Sequence, residues 1–466
     1  MLQAKKKASR AAVICYGFGD LASQFVWTYV GTYLSVYYTD VVGLAPAAVS
    51  AIMIIARLWD AVNDPMMGAI AERTRSRFGR FRPYIAIGCP LLAVFSVLTF
   101  TAPFGNGASG VAWAAIIYII AGMLYTFVNI PYGALAGVMT EDSDQRNKIT
   151  TSRNIGMNIG MIIVNAASSG LALMFSGEGA EVANGNGYMM TALVYAIVSI
   201  PLFLIVFFTS KENVQPTGKP AKFSFKEILL NLVTNKYLML VTIIMIIQMT
   251  AFMGRIAVTT YYVINCLGSF TMISIIMTIP SIGAVIGSLF VPALAKRFGK
   301  RNVLMVSMII QAAGLVVMYL SPFDNMPMII VGDCIFGLFN VGFPMSLSMV
   351  ADSVDYMEYK KGVRTDGTAY ATYGLATKIG NAIGGAVGVP LIFAVGYVPN
   401  TQQTVAAQNG INAIVNLIPA ILFVVAALLC LLWRMSDKDA DDIRAKLDER
   451  RKAAETAAEP AVAEKA

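Results

Sequence analysis

The feature that most constrains this chain is a succession of about twelve apolar stretches, each long enough to cross a lipid bilayer. They lie near residues 11 to 38, 48 to 71, 83 to 103, 111 to 139, 153 to 176, 188 to 209, 237 to 265, 271 to 295, 302 to 321, 327 to 357, 366 to 395 and 410 to 433. The hydrocarbon layer of a bilayer is about 30 Å thick, so a spanning helix needs roughly 20 mostly apolar residues. Because lipid offers no hydrogen-bond partners, each stretch must satisfy its own backbone, and helices do so segment by segment. The chain is therefore expected to be an all-α integral membrane protein. Its composition agrees, since 57% of residues are hydrophobic and only 13% charged, whereas a soluble domain carries about 25% charged residues.

A net charge of +8 raises the question of a nucleic-acid partner, and the placement of the charge argues against one. All but three of the 35 Lys and Arg residues fall before span one, after the even-numbered spans, or in the central and C-terminal polar segments. The intervening connections carry acids such as Asp40, Glu178, Glu181 and Asp324 but no Lys or Arg. This is the asymmetry that orients membrane proteins, and it predicts a multi-pass protein of the cytoplasmic membrane with both termini cytoplasmic. The three basic residues inside spans are Arg57, Arg255 and Lys378. The five Cys residues are scattered, without C-x-x-C spacing, and there is no His, so disulfide frameworks and zinc sites are not expected. Nor is there a G-x-x-x-x-G-K-[ST] phosphate loop, which argues against an ATP-driven pump. No sizeable soluble domain is present to house an enzyme site.

The longest polar interval, residues 210 to 236, divides the spans six and six. The organisation it predicts is a six-helix half over residues 1–209, a cytoplasmic linker over 210–236, a second six-helix half over 237–434 and a charged tail over 435–466. Arg77-Phe78-Gly79-Arg80 after span two has a counterpart in Arg297-Phe298-Gly299-Lys300 after span eight. Matching positions in the two halves point to duplication, the pattern of transporters that alternate access around a midplane site. The tail reads as solvated, although 436 to 454 can form a surface helix anchored by Ile443 and Leu447.

Ionisable groups at bilayer depth are costly and mark interior, hydrated or paired positions. Arg57, Asp60 and Asp64 in span two are spaced by three and four, so they share one helical face. Two close carboxylates suit a hard cation such as Na⁺, or can share one proton; the competing reading is an Arg57–Asp60 pair that merely locks helices. Span four carries Tyr125, Thr126 and Asn129 ahead of Pro131, whose missing donor loosens the helix. Thr126 can complete the cation shell, and Asn129 can bind sugar hydroxyls or a neighbouring helix. Lys378 in span eleven is a lone ammonium among small residues, and its expected partners are the span-two acids. Asp20 and Arg255 have no evident partners, and substrate contact and helix locking are both open to them. Trp27, one turn from Gln24, can form an apolar platform beneath a sugar ring.

Several long segments resemble the glycoside, pentoside and hexuronide cation symporters, the melibiose-permease family of the major facilitator superfamily. They are YGFGD at 16–20, YYTDVVGL at 37–44, RLWDAVNDPMMG at 57–68 followed by TRSRFGRFRP, YTFVNIPYGAL at 125–135, ADSVDYMEYKKGVRTDG at 351–367 and GYVPN at 396–400. The resemblance covers nearly the whole chain and implies the major facilitator fold. It implies that Asp60 and Asp64, with Asn63 and Thr126, form the cation site, as a metal site if the cation is Na⁺. It further implies that Lys378 takes part in coupling and that Arg153 lies near the sugar. Melibiose-type members resemble one another in using carboxylates of spans one and four against a galactoside, where this chain has Gln24 and Asn129. The VNIP version is similar to the glucuronide and xyloside branches. The function implied is import of a small glycoside by symport with Na⁺ or H⁺, without a resident cofactor. The solute would bind near Asp20, Gln24, Trp27, Tyr125, Asn129, Arg153 and Phe343, with Arg57 and Lys378 in coupling. Exchange or export on the same fold, or a sugar sensor derived from a transporter, are the alternatives.

Overall fold

A computed structural model describes residues 7–214, 230, 232–362 and 366–463, and every regular element among them is helical. Span one comprises Arg10–Cys15 and Gly17–Val36 and ends in a π-helical turn, Tyr37–Val41. Spans two to six are Pro46–Arg73, Arg82–Leu98, Ala108–Val138, Ser143–Met174 and Gly185–Thr209. Spans seven to nine are Lys236–Asn265, Met272–Phe298 and Lys300–Leu320. Span ten is broken into Met326–Leu338 and Gly342–Lys361, and span eleven is Asp366–Ala394. Span twelve joins Val405–Asn412 to Ile418–Cys430 through a second π turn, Ala413–Leu417. Among the described residues ten of these spans, with the parts of span ten and of span twelve taken together, are long and apolar enough to cross a membrane. Spans one and three complete the twelve: span one packs on spans five and six, and span three on spans four and six. Most of the expected linker, residues 215–229 and 231, lies outside the described residues.

The two halves pack alike. Span one lies on five and six as seven lies on eleven and twelve; two packs on four as eight packs on ten; three packs on four and six as nine packs on ten and twelve. The halves meet through spans two and eleven and, in the symmetry-related position, five and eight, with one against seven between them.

The repeated R-F-G-basic turns explain themselves at this level. Gly79 has φ +102° and Gly299 φ +82°, a region that favours glycine. Beyond Gly79, the backbone N–H groups of Arg80 and Phe81 donate to the Glu212 carboxylate at 2.9 and 2.7 Å. Beyond Gly299, the N–H of Lys300 donates to Asp437 at 3.0 Å. Each carboxylate comes from just after the last span of its own half and satisfies donors at the start of the third helix of that half, where the helix dipole also favours a negative charge. A Cβ on either glycine would stand within 2.5 Å of Glu212 or 2.8 Å of Asp437. Arg82 and Arg301 then donate to the carbonyls of Phe207 and Trp433, again in matching places.

Three elements differ from the sequence reading. Span five begins at Ser143, ten residues earlier than expected, because Asp142 caps it by accepting from the N–H of Asp144 at 3.0 Å and its first turns are polar and project beyond the apolar stretch. Span ten is interrupted at 339–341, where the Gln311 amide donates to the carbonyl of Phe339 at 2.9 Å. The tail is not free: Asp437–Ala463 is a helix, and Leu447 is buried with Ile443 half-buried beside it. Arg444 reaches from it to Asp355 at 3.1 Å and also pairs with Asp352 of span ten.

At the end opposite the basic connections the halves are hydrogen-bonded to each other. Thr260 donates to the carbonyl of Thr32 at 2.9 Å, Asn165 donates to the carbonyl of Met277 at 3.1 Å, and the hydroxyls of Ser169 and Ser274 lie 2.6 Å apart. Nearer the basic end, 54% of the Lys378 side chain is exposed. An ammonium within an apolar span is stable only against water or a partner. The exposure of Lys378 therefore marks a hydrated cleft between the halves on the basic side of that seam.

Candidate functional site

The site grows from the charged face of span two. Arg57, Asp60, Asn63 and Asp64 project from about two turns of helix, followed by Pro65, which cannot donate to the preceding turn. Arg57 and Asp60 are paired at 3.6 Å. Asp64 is held from two directions: the Thr126 hydroxyl of span four donates to one oxygen at 2.8 Å, and the ammonium of Lys378 in span eleven pairs with the other. The first bond stays within one half, and the second crosses to the other. Asn63 is buried, with an amide nitrogen that has no hydrogen-bond partner among the described residues. Gly122 of span four faces this group, and a Cβ there would sit 3.3 Å from an Asp60 oxygen, a tight contact that the carboxylate would have to yield to. Asp60, Asp64, Asn63, Thr126, Arg57 and Lys378, the residues singled out in the sequence, are thus brought together, with the Arg57–Asp60 pair that the helix-locking reading named among their contacts.

An aromatic and amide surface adjoins it. Trp27 stacks on Tyr125 with ring centroids 4.3 Å apart and planes 19° from parallel, and the Arg57 guanidinium lies 5.9 Å from the Trp27 ring. Gln24 accepts from Thr28 at 2.5 Å. Asn129 accepts from Ser23 at 3.2 Å, while its buried amide nitrogen has no partner among the described residues. Each amide lies one helical turn from a ring of the Trp27–Tyr125 stack, Gln24 from Trp27 on span one and Asn129 from Tyr125 on span four.

Asp20 and Arg153 are brought to each other. The guanidinium donates to the carboxylate at 2.7 and 3.3 Å and lies 4.9 Å over the ring of Tyr132, whose hydroxyl also donates to Asp20 at 2.9 Å. Asp20 therefore has partners that the sequence did not reveal, and this arrangement ties spans one, four and five together. Arg255 is likewise paired, with Asp333 at 2.7 Å in the interior of the second half, away from the span-two acids. Phe343 begins the second segment of span ten, exposed, with its ring edge on Tyr373 of span eleven at 5.5 Å; it is not part of the Trp27 cluster. Tyr132 and Asp333 were missed by the sequence reading. An acid in the middle of the apolar run VGDCIFGL was the available signal for Asp333; Tyr132 offered none beyond its place next to Pro131.

The sequence matches the family described as MFS/sugar transport protein over residues 15–437. The chain belongs to that family. Within it, the chain is one of the glycoside–pentoside–hexuronide:cation symporters. It is 32% identical over 93% of its length to the isoprimeverose transporter of Lactiplantibacillus pentosus, covering 90% of that protein. It is 28% identical to the glucuronide carrier protein homolog of Escherichia coli K12, covering 96% of this chain and 97% of that one. Among solved structures, it matches a D-xylose–proton symporter with a TM-score of 0.66 at 16% identity, over 90% of this chain and 96% of that one. A mutant of the nucleoside transporter NupG gives 0.65 at 17% identity, over 90% of this chain and 99% of that one. The fold is that of the major facilitators, and the protein is a membrane transporter rather than an enzyme.

Proposed function

We propose that this symporter imports a glycoside, a glucuronide, xyloside or related di- or oligosaccharide, driven by Na⁺ or H⁺. Asp60, Asn63, Asp64 and Thr126 form the cation site, and Gln24, Trp27, Tyr125 and Asn129, with Arg153 and Asp20 alongside, form the sugar site. The basic connections face the cytoplasm of the cell, so the cleft at Lys378 opens inward. The observation that carries the reading is the double hold on Asp64, by Thr126 from its own half and by Lys378 from the other.

A cation bound between Asp60 and Asp64 competes with the ammonium for the same oxygens. Its arrival frees Lys378 and weakens a link between the halves; its departure lets the link re-form. A ligand shifts a conformational equilibrium only through differential affinity for the two states, and this competition supplies one. The relatives named for isoprimeverose and for glucuronide support a sugar of glycosidic type. The Asn129 amide and the Trp27–Tyr125 stack suit its hydroxyls and its apolar ring face.

The test is uptake of labelled xylosides and glucuronides into proteoliposomes under separately imposed Na⁺ and H⁺ gradients. Accumulation driven by one gradient, and lost in Asp60→Asn and Asp64→Asn, is the expected result and names the cation. Accumulation by either variant equal to that of the parent removes that carboxylate from the cation site. Exchange without gradient-driven accumulation moves the protein to the exchanger class.

A further inference from the structure

Two segments that carried the family resemblance, YYTDVVGL and GYVPN, take no part in the cation or sugar site. The structure brings them together across the seam opposite the basic connections. Asp40 lies in the π-helical turn Tyr37–Val41 that ends span one. The Tyr397 hydroxyl, just beyond span eleven, lies 2.7 Å from both oxygens of its carboxylate. The Asn400 amide donates to the backbone carbonyl of Asp40 at 2.7 Å. Thr39, its neighbour, shares a hydrogen bond with the Tyr261 hydroxyl of span seven at 3.1 Å and donates to the Asp40 carboxylate at 2.6 Å. Residues 39 and 40 of the first half are thus held by three residues of the second.

The local geometry is built for this contact. The π turn inserts one more residue than an α-helix would hold, with the N–H of Val42 returning to the carbonyl of Tyr37 at 2.9 Å, and such turns re-aim side chains at functional positions. Asn400 has φ +57° and is the only residue other than glycine with positive φ among those described; asparagine tolerates this conformation better than most. Tyr397 is oriented by edge contacts with Tyr261 at 5.3 Å and Phe393 at 5.4 Å. Deeper in the seam lies a small cavity of about 30 Å³, room for a water, lined by Ser35, Arg57, Tyr118 and Gly385 among others. Its lining takes in Arg57 of the charged face of span two.

We propose that Asp40, Tyr397 and Asn400 form the latch that holds the outer barrier shut, and that they are positioning residues of the transport cycle distinct from the cation and sugar sites. The seam must part and re-form in every turnover. A polar latch suits that task, because water can replace its hydrogen bonds when the halves separate, whereas an apolar seam would expose its surface each time. The assignment rests on the alternating-access reading, but on neither the identity of the sugar nor that of the cation.

The test places a reporter thiol at Ser35→Cys, under the latch, after replacing the five native Cys residues with Ser. In lipid nanodiscs, the rate of maleimide labelling is compared with and without Tyr397→Phe, which keeps the ring and removes the hydroxyl. The latch predicts labelling at least threefold faster, with an unchanged melting temperature. Asn400→Gly, which keeps the backbone conformation and removes the amide, is expected to act in the same direction and serves if Tyr397→Phe does not fold. Unchanged labelling in a folded variant overturns the proposal. A melting temperature that falls in step with faster labelling also overturns it, because a merely structural contact would do that. Loss of transport in the parent would instead count against the functional reading and leave the labelling comparison intact.

Discussion

Asp64 shows how one carboxylate can be satisfied and yet remain available. Thr126 contributes a neutral donor and Lys378 a charged one, and hydrogen bonds to charged groups are worth about 1.5–3 kcal/mol. If the ammonium competes with the transported cation, removing it should tighten cation binding. Lys378→Gln is expected to lower the cation concentration for half-maximal binding about tenfold, the equivalent of about 1.4 kcal/mol, while reducing gradient-driven accumulation. Isothermal titration with the purified protein checks the first part and vesicle uptake the second. Weaker cation binding in the variant would show that Lys378 supports the site instead of competing for it. Arg255 and Asp333 make the opposite case. Their side chains are 3% and 0% exposed, and the Asp333 oxygen not facing Arg255 has no partner among the described residues. Removing one member of a buried pair leaves an uncompensated charge and costs about 3–5 kcal/mol, whereas replacing both with apolar residues of similar size is often near neutral. Asp333→Leu should therefore melt well below the parent, and Arg255→Met with Asp333→Leu should recover most of the loss. A double variant as unstable as the single would point to packing rather than charge.

At the scale of elements, the sequence was most legible where a rule acts locally. Bilayer thickness set span lengths, and the R-F-G-basic repeats marked corresponding positions in the two halves. What stayed hidden depended on contacts between distant segments. Glu212 and Asp437 are ordinary polar residues until folding brings them under Arg80 and Lys300, and the break in span ten is held by Gln311 from span nine. The site shows the same division. The face shared by Arg57, Asp60 and Asp64 follows from helical periodicity, but the pairing of Asp20 with Arg153, 133 residues later, does not. The turn glycines give a direct comparison. Gly299 has φ +82° and ψ +147° with the Asp437 carboxylate against it, while Gly362 ends span ten at φ +70° and ψ +9° with open space around it. The first conformation is essentially reserved for glycine and costs other residues about 1–3 kcal/mol; the second is the left-handed region, at about 1–2 kcal/mol. Gly299→Ala, which also crowds Asp437, should lower the melting temperature clearly more than Gly362→Ala. Equal losses would mean that the Asp437 cap relaxes without cost.

For the molecule as a whole, the question is how two similarly packed halves can present the site to one side at a time. In this structure the seam opposite the basic connections is closed by Ser169 and Ser274, Asn165 and Met277, Thr260 and Thr32, while Lys378 is reached by solvent from the other side. The two halves pack internally in the same pattern, so exchanging the closed side needs a rotation of one half against the other more than a rearrangement within either. Such a motion has to separate spans five and eight at Ser169 and Ser274. Their hydroxyl oxygens are 2.6 Å apart, close enough for cysteines at these positions to form a disulfide with little backbone movement. In a background with the native Cys residues replaced, Ser169→Cys with Ser274→Cys should transport normally under reducing conditions. On mild oxidation, uptake should stop almost completely, and reductant should restore it. The oxidised protein should still bind cation, because Asp60, Asn63, Asp64 and Thr126 all lie within one half and the Lys378 ammonium paired with Asp64 is reached by solvent. Continued uptake by fully cross-linked protein would mean that solute passes without the halves parting at this seam, and rigid-body alternation would have to give way to a local gate.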